Sequence, residues 1–336
     1  MPVEIKSIAY YLPERLVNNE DLKLENPEWD MDFAGARTGV SQRHIAGENE
    51  TALDMAYSAC QELFEAHPGL QSTVDGLIFC TQSPDHIMPP NSCILHGKLD
   101  LADSVFTFDF NLACSGYIYG IALAQGLLES GFASNILLVT GDTYSKYISE
   151  KDRATRILFG DGAAVSWITS ASSSKGVIDI QCSTSGKGYE KFIIPAGGNR
   201  LPSSKETKRL NKDSSGNYRS AENIFMDGMA VLAFVNTKVP PQIRDVLSRN
   251  EMTIDDIDLF VFHQASNLAL DSLTRLLQID PEKVFRNLEE IGNTVSSSIP
   301  IALKQAWDIG RLRQGDTVLL SGFGVGLSWA TAVVKY

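Results

Sequence analysis

An internal repeat is the feature of this sequence that most constrains its fold. The run Asn135–Gly141 (Asn-Ile-Leu-Leu-Val-Thr-Gly) resembles the run Asp316–Gly322 (Asp-Thr-Val-Leu-Leu-Ser-Gly). In each copy a Phe-Gly-x-Gly run lies further along the chain, at Phe159–Gly162 and at Phe323–Gly326. Strand-like residues rather than a helix follow each glycine run, so neither is a dinucleotide-binding fingerprint. Self-similarity of this kind indicates two copies of one structural unit.

The two copies divide the chain near its middle. A chain of 336 residues exceeds one ordinary domain and is long enough for two with ample core. The stretch Ser170–Gly176 is rich in serine, alanine and lysine and is typical of a linker. We therefore predict an N-terminal half at residues 1–172 and a C-terminal half at residues 173–336.

Strands and helices alternate within each half. Gly76–Thr81 and Asp258–Phe262 are short continuous apolar runs, which is the pattern of strands buried on both faces. Thr51–Ala66 and Val295–Trp307 have apolar residues at helical spacing. This alternation predicts the α/β class, with a mixed or parallel sheet covered on both faces.

Three stretches lack these patterns. Glu20–Phe33 is acidic, and we predict irregular chain there. Ala36–Val40 is predicted to be part of a polar loop. Gly197–Ala221 is a polar excursion that we expect to be a loop.

Cys114 lies at the point where a predicted strand, Val105–Phe110, turns into a predicted helix that ends near Gly131. Unpaired amides and the dipole at a helix start favour an anion, so we expect this thiol to ionise more easily than an ordinary one. Small neighbours, among them Ala113 and Gly116, would let a substrate carbonyl reach the sulfur. The alternative is a core cysteine, because free cysteines are among the most buried residues.

Two further residues in the second half also lie at the ends of predicted elements. His263 follows the strand Asp258–Phe262, and ligands of open α/β sheets collect at such strand ends. It is either a structural histidine or an acid–base group. Asn293 precedes the helix Val295–Trp307, and it is either an N-cap or a donor to a substrate carbonyl. One cysteine, one histidine and one asparagine permit thiol hydrolysis or acyl transfer through a thioester followed by carbon–carbon bond formation.

Composition excludes several other classes. Hydrophobic residues make up 43% of the chain and charged residues 21%, as in ordinary globular proteins. The net charge of −12 argues against nucleic acid as the main partner. Five cysteines without a Cys-x-x-Cys pair indicate a reduced, cytoplasmic protein, and neither a signal peptide nor a membrane-spanning apolar run is evident. The histidines show no metal-ligand spacing with the cysteines, so we predict no metal.

Several separate motifs, in order along nearly the whole chain, resemble those of the β-ketoacyl-acyl-carrier-protein synthase III family of the thiolase superfamily. These motifs are Arg37-Thr38-Gly39-Val40 with Arg43-His44-Ile45-Ala46, Ala113-Cys114-Ser115-Gly116, Phe159–Ala164, His263-Gln264-Ala265, Gly292-Asn293-Thr294 and Phe323-Gly324-x-Gly326. The resemblance implies a thiolase-like five-layer αβαβα fold of two similar halves and a homodimer. It also implies a catalytic triad of Cys114, His263 and Asn293.

Further site residues follow from the same resemblance. The backbone amides of Cys114 and Val325 would form the oxyanion hole. Phe33, Arg37 and Arg153 match positions that contact coenzyme A. Met88 is assigned to the acyl pocket.

The implied activity is transfer of an acyl group from acyl-CoA to Cys114, then decarboxylative condensation with a malonyl thioester, without a further cofactor. The expected macromolecular partner is acyl carrier protein, which is acidic. Lys208 and Arg209 lie in the stretch Lys187–Arg219, which has eight basic residues against three acidic ones. Arg275, which matches a basic position of the family, extends this predicted docking surface, although a solvated loop is an equal alternative.

The sequence also departs from the family pattern. Ser115 replaces alanine, Phe33 replaces tryptophan, Val325 replaces glycine, and the run Val295–Ser298 is unlike that of the fatty-acid enzymes. An acyltransferase of a secondary-metabolite or surface-glycan pathway is therefore the alternative function. A thiol hydrolase and a non-catalytic partner subunit are less favoured, since all three reactive groups are present.

Overall fold

The computed structural model describes residues 3–171 and 175–336. The division predicted between residues 172 and 173 lies outside the described residues and stays a prediction. The strands are β1 (Val3–Tyr11), β2 (Leu16–Asn18), β3 (Gln42–His44), β4 (Gly76–Cys80), β5 (Phe106–Phe110), β6 (Asn135–Asp142), β7 (Gly162–Ser170), β8 (Gly176–Thr184), β9 (Phe192–Ile193), β10 (Asn211–Lys212), β11 (Tyr218–Arg219), β12 (Phe225–Met226), β13 (Leu259–Phe262), β14 (Thr317–Gly324) and β15 (Ser328–Lys335).

The helices are α1 (Asn19–Glu25), α2 (Met31–Thr38), α3 (Ala52–Ala66), α4 (Asn91–Lys98), α5 (Gly116–Glu129), α6 (Arg153–Arg156), α7 (Gly228–Arg249), α8 (Asn267–Leu277), α9 (Leu288–Ile291) and α10 (Ser298–Asp308). A 3-10 turn, Val295–Ser297, precedes α10. Every helix within the described ranges is too short or too polar to cross a lipid bilayer.

Two sheets share one topology over four strands, and the first has β5 as an additional edge strand. The first has the strand order β1-β7-β6-β4-β5 and the second the order β13-β14-β15-β8. In the first sheet β4 pairs in parallel with β6, which forms an antiparallel pair with β7. In the second sheet β13, β14 and β15 repeat that arrangement. The similar runs Asn135–Gly141 and Asp316–Gly322 thus lie in equivalent strands, β6 and β14.

Helices lie between the sheets and on both outer faces. Helices α5 and α10 pack between the two sheets, with α3 and α4 on the outer face of the first and α7 and α8 on that of the second. This is the predicted five-layer αβαβα arrangement. Each sheet is covered on both faces, which is why its central strands are continuously apolar rather than alternating.

Strand β6 shows how one apolar run serves two layers. Ile136 and Leu138 pack toward the middle helices, whereas Leu137 and Val139 pack toward the outer layer. All four are fully buried, because successive side chains of a strand point to opposite faces. Burial of such a side chain contributes about 1.5–3 kcal/mol.

The N-terminal expectations of irregular chain over Glu20–Phe33 and of a polar loop at Ala36–Val40 are wrong. Both stretches contribute to helices, α1 and α2, whose starts are fixed by side-chain caps. The Asn18 side chain accepts a hydrogen bond from the Asp21 amide at 2.9 Å, and Asp30 accepts one from the Phe33 amide at 3.0 Å. As a result, Phe33 and Arg37 lie one turn apart on α2.

Candidate active site

Cys114 lies in the turn between β5 and α5, and β14 of the other half packs directly against it. A Cβ atom at Gly324 would lie 2.6 Å from Cys114 Sγ, which is closer than two such atoms can approach. Only glycine permits this contact. The second Phe-Gly-x-Gly run therefore brings the backbone close to the thiol.

The expectation that the Cys114 thiol ionises easily is wrong. The pKa of Cys114 is raised to about 12, mainly by burial and to a smaller extent by the nearby carboxylate of Asp142. The backbone amides of Val325 and of Cys114 itself donate to the sulfur and act in the opposite direction. Removal from water outweighs the helix start and the amides together, so the thiol is protonated at neutral pH. These two amides are the pair that was predicted to form the oxyanion hole.

A pair of buried hydroxyls links the Cys114 turn to the Val325 turn. Ser328 Oγ donates to the carbonyl oxygen of Val325 at 2.7 Å. Ser115 Oγ lies 2.7 Å from Ser328 Oγ and donates to it, since the Ser328 proton is already used. The serine that replaces the family's alanine thus holds the turn that presents the Val325 amide.

His263 directly follows β13 and is 1% exposed. Its backbone N–H donates to the Ser321 carbonyl at 2.8 Å, which fixes it beside β14. Burial lowers the pKa of the imidazole to about 3, so it is neutral at physiological pH. Nδ1 lies 2.6 Å from Ser298 Oγ, which leaves Nε2 as the nitrogen that can bind a ligand.

Asn293 is held by the first half of the chain. Its N–H donates to the Leu158 carbonyl at 2.9 Å, and its own carbonyl accepts from Gly160 N–H at 3.0 Å. The side-chain oxygen accepts from Val295 N–H at 2.9 Å, so the amide NH₂ is the group that can donate to a ligand. Since α10 begins at Ser298, five residues further on, Asn293 does not cap that helix.

One cavity of about 750 Å³ brings most of the predicted residues together. Its inner part is lined by Cys114, His263 and Asn293, and its outer part by residues that include Phe33, Arg37 and Arg153. The Arg37 guanidinium lies 5.4 Å from the centre of the Phe33 ring, which is 59% exposed. An exposed aromatic face beside two cations is suited to an adenine ring and phosphates.

Met88 is not brought to this cavity. It lies in the loop between β4 and α4 and is 79% exposed. A second cavity, of about 320 Å³, lies behind the Val325 turn and is lined by residues that include Tyr144, Phe192 and Val325. Met88 does not line this cavity either. The assignment of Met88 to the acyl pocket stays a prediction.

The predicted basic surface is less uniform than its composition indicates. Lys208 and Arg209 are exposed, and so is Arg275 at the end of α8. Arg219, by contrast, is bonded to the buried carboxylate of Asp152 at 2.8 Å and to Asp213, and it lines the main cavity. Its charge is therefore not available to a carrier protein.

Sequence reasoning missed the residues that hold the reactive groups. Ser298 bonds His263, and Asp142 bonds Ser296 two residues before Ser298. The only signal was the unusual hydroxyl-rich run that follows Asn293. In the part of the chain that the structure describes, no group of three or more His, Cys, Asp or Glu side chains could hold a metal ion.

The fold and the site define the class as a thiolase-like α/β protein with a buried Cys-His-Asn set. Family models for 3-oxoacyl-[acyl-carrier-protein] synthase III match residues 108–186, and those for its C-terminal part match residues 247–336. The beta-ketoacyl-[acyl-carrier-protein] synthase III of Campylobacter curvus is 36% identical over 98% of this chain and 96% of its own length. That of Caldanaerobacter subterraneus subsp. tengcongensis is 34% identical over 97% and 95%.

The same family is found among solved structures. A crystal structure of a 3-oxoacyl-(acyl-carrier-protein) synthase III superposes with a TM-score of 0.97, at 38% identity and over 100% of both chains. With relatives above 30% identity along the whole length, this chain belongs to the 3-oxoacyl-acyl-carrier-protein synthase III family.

Proposed function

We propose that this protein transfers an acyl group from acyl-CoA to Cys114 and condenses it with a malonyl thioester to a 3-oxoacyl product. The observation that supports this most directly is the meeting of a thiol and two side-chain donors in one buried cavity. Cys114 supplies the thiol, and His263 Nε2 and the Asn293 amide supply the donors. All three groups are electrically neutral. The two donors can therefore bind a thioester carbonyl by hydrogen bonds, while the thiol is placed to attack one.

In the first half-reaction the sulfur of Cys114 attacks the carbonyl carbon of acyl-CoA. The amides of Cys114 and Val325 stabilise the oxyanion that develops there. The thiol proton is transferred to the departing sulfur, so the products are acyl-Cys114 and coenzyme A. Because the Cys114 thiol is protonated at rest, it loses this proton only after the substrate has bound.

In the second half-reaction a malonyl thioester places its carbonyl oxygen between His263 and Asn293. Loss of carbon dioxide leaves an enolate, whose oxygen both donors stabilise. The enolate carbon then attacks the acyl-Cys114 carbonyl and expels the Cys114 thiolate, which takes up one proton from solvent to restore the resting thiol. Asparagine suits this role because it donates a hydrogen bond without carrying a negative charge.

The outer part of the cavity supports coenzyme A as the first acyl carrier. Phe33 would stack on the adenine ring, while Arg37 and Arg153 would bind phosphates. The aromatic rings of Tyr144, Phe159 and Phe192 pack in the same cluster as Cys114 and favour a short acyl group. Acyl and malonyl thioesters supply all the chemistry, so no further cofactor is proposed.

A homodimer is supported by the edge of the first sheet. Strand β5 lies at that edge, and its residues Phe106–Phe110 are only partly buried. Unpaired edges with apolar side chains are sites for pairing with another chain. Met88 lines neither of the two cavities described above, and its exposed side chain would serve an acyl pocket across such an interface. The dimer and the cytoplasmic location stay predictions.

The function is tested by intact-protein mass after incubation with acyl-CoA thioesters of increasing chain length. We expect a single acyl addition, greatest for short acyl groups, that disappears when malonyl thioester is added and a 3-oxoacyl product forms. Acylation without any condensation product, from either malonyl-CoA or malonyl carrier protein, would contradict the proposal and favour the alternative acyltransferase function. No observation on the structure favours that alternative.

Carrier-protein docking at Lys208, Arg209 and Arg275 is tested by reversing charge. The double variant Lys208→Glu and Arg209→Glu should slow carrier-dependent turnover about tenfold at low salt, because exposed charges steer an acidic partner. The difference should shrink as salt is added, and self-acylation by acyl-CoA should be unchanged. An unchanged carrier-dependent rate at low salt would exclude the surface and favour coenzyme A as the carrier of both substrates.

A further inference from the structure

The hydroxyl-rich run Ser296-Ser297-Ser298, which departs from the family pattern, is completely buried between the two halves. Each serine has a different partner. In chain order these are the Asp142 carboxylate at 2.5 Å, Thr140 Oγ1 at 3.0 Å and His263 Nδ1 at 2.6 Å. The third contact is made to His263, one of the two donors of the proposed condensation step. The first fixes the residue that follows Val295, whose N–H bonds the other donor, Asn293. The second contact reaches neither donor.

Ser298 can set which nitrogen of His263 carries the proton. The imidazole is neutral, so one ring nitrogen donates and the other accepts. When the Ser298 hydroxyl donates to Nδ1, the proton must be on Nε2, which is the nitrogen left for a ligand. The hydrogen bond to one nitrogen thereby determines the chemistry of the other.

Asp142 and Ser296 hold the Asn293 amide through a strained residue. Val295 has a φ of +54°, a left-handed conformation that is rare for a β-branched side chain. In that conformation its N–H donates to the Asn293 side-chain oxygen at 2.9 Å. The next residue, Ser296, donates to Asp142 through its hydroxyl at 2.5 Å and its N–H at 3.4 Å.

Asp142 is a fixed anchor for this turn. Its carboxylate is fully buried at the end of β6 and also accepts from Gln82 N–H at 2.7 Å. The hydroxyls of Thr81 and Ser83 lie 3.4 Å from the same carboxylate. An acid held by the first half therefore fixes a turn of the second half, and a strained conformation persists where its surroundings define it in this way.

We propose that Ser298 and the Asp142–Ser296 pair are positioning residues for condensation: Ser298 holds His263 as an Nε2–H donor, and Asp142–Ser296 orients the Asn293 amide. The proposal rests on the proposed function, because it assigns these contacts to the enolate-forming step. It predicts that they serve the second half-reaction and leave the first unaffected.

The test compares three alanine variants of adjacent, equally buried serines. Ser298→Ala and Ser296→Ala each remove one positioning hydroxyl. Ser297→Ala is the matched control, because among the described residues its hydroxyl bonds to Thr140 and the Gly162 carbonyl and to neither donor. Each variant is measured for melting temperature, for single-turnover acylation of Cys114 and for malonyl-CoA decarboxylation by acylated protein.

Loss of Ser298 or Ser296 should reduce decarboxylation about ten- to hundredfold, as expected when a buried polar group loses its partner, with acylation within about threefold of wild type. Ser297→Ala should decarboxylate like wild type, even if its melting temperature falls. Ser298→Thr, which keeps a hydroxyl, should restore most of the rate. Decarboxylation by Ser298→Ala or Ser296→Ala equal to that by Ser297→Ala would overturn the proposal.

Two further readouts extend the test: the first does not depend on turnover, and the second changes a residue other than the serines. Nitrogen-15 NMR of labelled histidine, with His263→Ala for assignment, should show Nε2–H at His263 in wild type and a mixture of tautomers in Ser298→Ala. An Nδ1–H tautomer in wild type would overturn the role of Ser298. Asp142→Asn should resemble Ser296→Ala, and unchanged decarboxylation in it would overturn the role of the pair.

Failure of this inference is distinguishable from failure of the proposed function. If wild-type protein becomes acylated but never decarboxylates a malonyl thioester, the function is wrong and the inference falls with it. If wild-type protein decarboxylates and all three serine variants match it, only the inference is wrong.

Discussion

Two helix starts at equivalent points of the two halves hold the reactive groups in different ways. Cys114 lies two residues before α5, whereas Asn293 lies five residues before α10 and is separated from it by a 3-10 turn. Each is held by the glycine run of the opposite half. Gly324 packs on Cys114, and Gly160, where a Cβ atom would lie 2.5 Å from the Ile291 carbonyl, pairs with Asn293.

This exchange explains why the repeat is functional as well as architectural. Neither half has a complete site, because the Val325 amide that bonds the Cys114 sulfur comes from the second half and the carbonyl at Leu158 that fixes Asn293 comes from the first. Burial has the same effect in both halves. It raises the pKa of Cys114 and lowers that of His263, so both side chains are neutral when no substrate is bound.

The largest expected effect is loss of the thiol in the first half. Cys114→Ala should abolish acylation by acyl-CoA, because no other described cysteine lies beside the two amides that would stabilise the oxyanion. The check is peptide mass after incubation with acyl-CoA, with Cys93→Ala, which removes an exposed cysteine, as the control. Acyl mass on the peptide of Cys60, Cys80, Cys93 or Cys182 would show that the nucleophile is misassigned.

Removal of either donor in the second half should break only the second step. His263→Ala or Asn293→Ala should reduce malonyl decarboxylation about 10²–10³-fold, which is the usual loss for one donor to a developing oxyanion. Single-turnover acylation should remain appreciable. Equal loss of both steps would instead make His263 the base that activates Cys114, as in a thiol hydrolase.

Local sequence patterns were sufficient for the elements that pack in layers. Continuous apolar runs predicted β4 and β13, because a strand buried on both faces has no polar alternation. The internal repeat predicted that the runs in β6 and β14 lie at equivalent positions. The same strand and helix patterns predicted that Cys114, His263 and Asn293 lie at the ends of elements. The helices α1 and α2 were missed, since their caps at Asn18 and Asp30 are short-range signals that an acidic composition obscured.

Other features depend on contacts that are distant in sequence. The pKa of Cys114 is set by burial among residues of both halves, so the local helix-start argument gave the wrong direction. Ser298 lies 35 residues from His263, and no spacing rule connects them. Arg219 was counted in the basic stretch, but it is neutralised by Asp152, 67 residues away.

The pH dependence of alkylation tests whether the first-half thiol is protonated at rest. The pKa of Cys114 is raised, so its thiolate is scarce at neutral pH and increases about tenfold per pH unit until that pKa is approached. The rate of modification by iodoacetamide should therefore still rise between pH 9 and pH 10. Peptide mass against time at each pH measures this, with His263→Ala as a control for proton acceptance by the imidazole. A plateau below pH 8 would mean that the amides outweigh burial.

The smallest effect should come from Ser115, whose hydroxyl holds the Val325 turn through Ser328. Ser115→Ala leaves the two amides in place and removes one hydrogen bond between neutral groups, so acylation should slow only about two- to tenfold. Decarboxylation by pre-acylated protein should be unchanged, which is the reverse of the pattern expected for Ser296→Ala. Tyr117→Phe is the control. Tyr117 lies two residues after Ser115, and the change removes its buried hydroxyl contact to Ser166 without touching the Val325 turn. Equal slowing of both half-reactions by Ser115→Ala would show that its hydroxyl stabilises the whole site rather than the acylation step.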